Sequence, residues 1–258
     1  MQKDKSTTLE YYEYFQEIYN IFNKELFSNE LPNCIITITR QKRVMGYFSP
    51  NRWINSKGKQ NHELALNPSY FSSSNFIEIF QTIVHEMVHL WQYEFGTPSQ
   101  RSYHNKEWAD KMESLGLVPS STGKYGGKKT GQKMNDYPLK NGIFEKVCIE
   151  IFKQGLFLKW FDRYSNKSTF IINDEELDEE DIKEMIDTNN EEEILTSLYT
   201  TIGDIVKDTL HIEEVVLEES KNKSKYCCEC GCSVWGKKNL DITCNLCGSD
   251  FEYIENIN

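Results

Sequence analysis

The stretch QTIVHEMVHLWQ, residues 81–92, narrows the possible folds of this chain more than any other. Ile83, Val84, Val88 and Leu90 make it an apolar, core-facing helix, and it carries two of the chain's five histidines, His85 and His89. Side chains four apart on a helix share one face, roughly 5–6 Å apart at Cβ. Two imidazoles so placed can grip one metal ion at Zn–N distances of about 2.0–2.1 Å. Glu86 follows the first histidine and turns to the side of that ion, where a carboxylate can take a proton from a water molecule. An ordinary buried helix with two hydrogen-bonded histidines is the plainer alternative, and a third ligand would decide against it.

Catalytic zinc ordinarily takes three protein ligands and leaves one position open. His62, His104, His211 and downstream carboxylates are available. His104 is preferred, because it lies beyond a Gly/Pro turn (EFGTPSQRSY) at the start of the next helix, which can fold back on the first. His62 sits on or beside an expected strand and suits a structural role. His211 stands in an acidic stretch and suits the surface. Glu107, one turn after His104, suits either an acceptor for that imidazole or a plain surface position. Trp91 and Trp108 are read as packing residues rather than stacking platforms.

The flanks of the helix suggest an α+β domain. Apolar residues recur at helical spacing from Leu9 to Phe22, predicting a helix over 7–27 that "SNELP" breaks. CIITITR (34–40), RVMGYFS (43–49) and HELALNP (62–68) read as strands, with a loop over 51–61. The long helix should span about 75–95, ended by Gly96 and Pro98, and another should run from near His104 to Leu115. Residues 116–142 hold six glycines and read as a loop-rich excursion. Its Lys124, Lys128, Lys129 and Lys133 are candidates for contact with an anionic partner, with a solvated loop as the alternative. "GGKKT" within it fails the spacing of a phosphate-binding loop. Residues 144–164 read as a helix broken at Gly155, and 174–219 as a marginal helical linker with disordered portions. No internal repeat is present.

HEMVH followed by HNKEW, preceded by LFSNELP and ALNPSYF, resembles the SprT-like (Spartan-related) zinc metalloprotease family over roughly residues 8–117. The resemblance implies a zincin-like fold, zinc held by His85, His89 and His104, and catalysis by Glu86. Many members place glycine after the third histidine, where this chain has Asn105. It also implies DNA-bound or DNA-crosslinked proteins as substrates, hence DNA as a partner.

The chain's far end carries a second metal signature. Six of eight cysteines crowd between Cys227 and Cys247. Cys227-x2-Cys230-Gly and Cys244-x2-Cys247-Gly, thirteen residues apart, form two knuckles that aim four thiolates at one ion. SVWGKK and LDITC would supply short strands, making a zinc ribbon. Four sulfurs leave no place for water, so this zinc is structural. Cys228 and Cys232 could replace Cys227 and Cys230 as one arm of the site, but the CxxCG form favours the latter pair, so they are read as spectators; SprT-like proteins often end in such a ribbon.

The expected layout is a protease domain over 1–140, a helical and acidic linker over 141–219, and a ribbon over 220–258. Charge follows it. Residues 1–140 balance at +3, residues 174–219 at −16 and the remainder from Ser220 at zero, so the net −11 belongs to one segment. No run reaches the ~18–20 apolar residues of a membrane span, and the first fifteen residues lack a secretory apolar core. A cytoplasmic zinc metalloendopeptidase with one catalytic and one structural zinc and a protein substrate is therefore expected. The alternative is a non-catalytic, zinc-containing DNA- or protein-binding factor of the transcription-associated kind.

Overall fold

The computed structural model describes residues 6–100, 103–164, 168–171, 190–210, 213–216, 224–237 and 239–254. Two compact units divide the chain, Met1–Val215 and Val216–Asn258. The fold is α+β, with a group of cysteines in the second unit. His211 lies outside the described residues, as do 172–189 of the acidic stretch.

Helix α1 (Thr7–Phe27) buries Phe15, Ile18, Tyr19, Phe22 and Leu26, an i, i+3, i+4, i+7 stripe. It stops where Ser28 turns left-handed at φ 54°. Strands β1 (Ile35–Ile38), β2 (Gly46–Ile54) and β3 (Gln60–Leu66) form a sheet in the order β1-β3-β2. β1 runs parallel to β3 and β2 antiparallel, which leaves β2 as an edge. The sequence placed a loop over 51–61, but the hairpin continues past a bulge between Ser49 and Trp53. Trp53 and Ile54 favour extended backbone. The turn then closes on the Asn55 side chain, which accepts from Lys57 and Lys59 N–H.

Helix α2 (Phe76–Phe95) starts at a reciprocal capping box. Asn75 Oδ1 accepts from Glu78 N–H, and the Glu78 carboxylate accepts from Asn75 N–H. Helix α3 (Lys106–Ser114) follows, capped by Asn105, whose side chain accepts from Trp108 N–H. Asn105 thus supplies a side-chain acceptor that glycine at this position would lack.

Residues 116–142 hold more order than their glycines suggested. β4 (Leu117–Ser120) and β5 (Asn135–Pro138) pair antiparallel with Asp136 opposite Pro119. Helix α4 (Ile143–Lys153) ends near Gly155 (φ 69°), as the sequence indicated, and no regular element follows it up to Tyr164.

Within the segment from residue 141 expected as a linker, α4 and the helix Glu191–Tyr199 are built into the first unit's core. Phe144, Cys148, Ile151 and Phe152 of α4 are fully buried. Phe144 stacks on Phe22 at 5.9 Å, and Phe152 meets Phe76 edge-on at 4.9 Å. The helix Glu191–Tyr199 adds Ile194 and Leu198 to the same core. Thr201 then bridges to Asn75 at the head of α2. Among the described residues no helix is long and apolar enough to cross a membrane.

Candidate metal centre

Helix α2 carries His85 and His89 on one face, and the chain then folds back through the turn before α3. His104 is held there by a two-way backbone bridge, with His104 N–H donating to Gly131 O at 2.9 Å and Gly131 N–H to His104 O at 3.1 Å. The result is convergence. His104 Nε2 lies 3.2 Å from His85 Nε2 and 3.1 Å from His89 Nε2. Tetrahedral ligands at zinc's bond length sit roughly 3.4 Å apart, so these nitrogens are spaced as for one small ion between them. Zinc fits the donor set.

Each outer ring nitrogen also bears on this. His104 Nδ1 faces Gly131 O at 3.1 Å, and His85 Nδ1 faces Asp136 Oδ2 at 3.2 Å. Both partners only accept, so Nδ1 carries the proton and Nε2 keeps a free lone pair. Burial, with the nearby His85 and His104 adding to it, pushes His89 down to about 2. Burial, then His85, brings His104 down to about 4. Burial also acts to lower His85, but the Asp136 hydrogen bond and the charges of Glu86 and Asp136 leave it raised. His89 and His104 are thus neutral at pH 7, as metal ligands must be.

Trp108 floors the site. Fully buried, its ring centroid lies 4.4 Å from that of His104, 4.8 Å from His85 and 5.5 Å from His89. Trp108 is a packing residue, as read from sequence, but what it packs against is the metal cluster. Trp91 is half-buried under the Lys111 ammonium.

Glu86 lies beside the cluster, 8% exposed, and burial pushes its carboxyl above the usual range. It lines two adjoining clefts. One, of 510 Å³, also exposes His85, His89 and His104, with Phe48, Tyr93 and Tyr103 around them. The other, of 590 Å³, continues past His85 toward Asp136, Tyr137 and Tyr199. Glu86 thus stands between the three imidazoles and the space of both clefts.

Other sequence candidates go elsewhere. His62 is engaged by Glu94 Oε1 at 3.0 Å and by Asn51 N–H, a structural role. Glu107 does not serve His104. It accepts from Gln92 Nε2 and Thr97 N–H and latches the turn between α2 and α3. Lys124, Lys128, Lys129 and Lys133 are exposed, and Lys129 is paired with Glu113. Sequence reasoning missed Gly131 and Asp136. They lie in the glycine-rich stretch, where no periodicity marks a residue that reaches back to α2.

The second unit is a three-stranded sheet, with Ser224–Cys227 between Glu252–Ile254 and Ser233–Gly236. The expected strand SVWGKK forms, while LDITC contributes one bridge, Thr243 to Asp250. The thiols group differently from the CxxCG reading. Cys228, Cys230, Cys232 and Cys244 place their sulfurs within 4.8 Å of one another. Cys227 is the last residue of its strand, opposite Ser233, and its sulfur turns to Ser233 Oγ at 2.9 Å. The turn therefore begins one residue later, where Cys228 N–H donates to Cys232 O and Gly231 takes φ 84°. Cys247 lies beside Ser249, whose hydrogen bonds draw the thiol down to about 6. Of the expected four, Cys230 and Cys244 are in the group, and Cys247 is in hydrogen-bond contact with both of them. Cys227→Ser should therefore keep the metal of this unit and Cys228→Ser should lose it, as read by metal content per chain; the reverse pattern would restore the Cys227 assignment.

Comparison with known proteins adds to this geometry. The model of the SprT-like family matches residues 15–124, which hold Glu86 and all three converging histidines. An uncharacterized protein in the mucB 3′ region of Salmonella typhimurium is 51% identical over 47 residues, 18% of this chain. That alignment spans 64% of the relative's own length, less than two thirds of it. No solved structure matches.

Proposed function

We propose that this chain, whose residues 15–124 match the SprT-like family, is a zinc-dependent endopeptidase with a zincin-like active site. The observation that carries the reading is the meeting of three imidazole nitrogens beside a buried carboxylate at the wall of an open groove. Zinc bound there supplies Lewis-acid polarisation of the scissile carbonyl and acidifies a water molecule. His85, His89 and His104 would hold the ion. Glu86 takes the proton of the attacking water and passes it to the departing amine nitrogen. Burial raises the carboxyl and so makes it a stronger base for the proton of the attacking water. The aromatic walls of the groove keep bulk water from the reacting bond.

The cysteine-rich unit is proposed as a structural zinc ribbon. Proteins held on or crosslinked to DNA are proposed as substrates, supported by the family resemblance and by the exposed lysines of the 120–133 loop. A non-catalytic binding factor would leave Glu86 with no role in the groove, and so accounts for less.

Metal analysis should find two zinc ions per chain and only one in His85→Ala. The parent should cut a test protein such as casein, or a protein bound to single-stranded DNA, and a chelator should stop it. A parent that carries no metal at the histidines, or that cuts equally well with chelator present, would remove this function.

A further inference from the structure

The side chain of Asp136 sits where its only evident work is on a neighbour's ring. It is 6% exposed, and its Oδ2 meets His85 Nδ1 at 3.2 Å. Its other oxygen accepts from Gln81 Nε2 at 2.8 Å, and the same amide donates to the Asp136 carbonyl at 3.0 Å. Gln81 lies one turn before His85 on α2, so one helix face holds both the imidazole and the clamp on the carboxylate. The backbone of Asp136 is fixed independently by β5, opposite Pro119 of β4. The carboxylate is thus constrained from two elements, and little solvent reaches the bond to screen it.

We propose that Asp136 is a positioning residue that sets the ring orientation and tautomer of His85, and so tunes the affinity of the histidine site for its metal. This rests on the reading of His85, His89 and His104 as ligands of one ion. An acceptor at Nδ1 forces the ring proton onto that atom and aims the Nε2 lone pair at the centre shared with His104, 3.2 Å away. Negative charge behind the ring raises its basicity as a ligand. His104 receives the same service from a backbone carbonyl, Gly131 O, which no side-chain substitution removes. Residues 131 and 136 both lie beyond residue 124, where the family match ends. The stretch that the sequence presented as a solvated loop is therefore what orients two of the three ligands.

The test is a cobalt(II) titration of the full chain against a competing chelator, comparing the parent with Asp136→Ala and Asp136→Asn. Cobalt at the cysteines absorbs through sulfur charge transfer, which separates it from cobalt at nitrogen ligands and serves as the internal reference for loading, while near-ultraviolet circular dichroism follows the folding of the unit that holds the histidines. Asp136→Ala should weaken the histidine site by about 10–100-fold, alter its visible cobalt spectrum and leave the sulfur band unchanged. Asp136→Asn keeps an oxygen that can accept from Nδ1 and should recover part of the loss. If the alanine variant unfolds, Gln81→Ala, which frees the carboxylate without removing it, should weaken the site in the same direction by a smaller factor. Equal affinity and an unchanged spectrum in Asp136→Ala would overturn the positioning role alone. A parent that binds no cobalt at nitrogen would remove the peptidase reading and this inference with it.

Discussion

Glu86→Gln should reduce peptide cleavage by at least about 100-fold, the lower end of what a positioned general base contributes, with metal content unchanged. The substitution is close to isosteric, and the position is 8% exposed, so the fold has little reason to respond. What changes is chemistry: an amide can neither take the proton of the attacking water nor return it to the leaving amine. Because the carboxyl is shifted up by burial, the glutamine also removes a group that is costly to ionise there. Stability should hold or rise slightly. The measurement is kcat and KM on one protein substrate alongside zinc content. A loss concentrated in kcat marks a role in the transition state. Full activity in the glutamine variant would remove Glu86 from the reaction, and loss of zinc would recast it as a ligand.

The second large effect concerns the domain edge. A chain ended at residue 140, where the sequence suggested that the protease domain finishes, should fail to fold. Helix α4 supplies Phe144, Cys148, Ile151 and Phe152 with no exposed surface. Removing it uncovers the faces of Phe22, Phe76 and Phe80 that meet those rings. Burying one large aromatic side chain is worth about 3–5 kcal/mol against alanine, and a domain's whole stability is about 5–15 kcal/mol. Loss of two such rings at once consumes that margin. Phe152→Ala in the full chain should cost about 3–5 kcal/mol by urea unfolding. A cooperative unfolding transition in the 1–140 fragment, at the parent's midpoint, would show that α4 is dispensable after all.

These expectations also mark how far the sequence could be read. The helix Phe76–Phe95 was legible because apolar spacing, a capping box and a terminal glycine agree on it. His85 and His89 followed from spacing on one helix face. His104 required a fold-back that the Gly/Pro turn allowed, and its Nε2 lies 3.2 Å from that of His85 and 3.1 Å from that of His89. Asp136 was not legible. A residue that reaches its partner across 51 positions leaves no local signal. Nor could spacing separate Cys227 from Cys228. Only the strand register, which commits Cys227 to Ser233, decides which sulfur faces inward. The helical spacing of Ile194 and Leu198 was legible within the acidic stretch, but their burial in the first unit's core was not.

The bridge between His104 and Gly131 has one more consequence. Two of the imidazoles ride a single helix and the third is sewn by backbone hydrogen bonds to a separate loop, so backbone contacts of the fold set where all three rings begin. The entropy of gathering the three rings is then a cost of folding rather than of capture. Uptake and release should be paced by the exchange of water and nitrogen around the ion itself, with the polypeptide standing still.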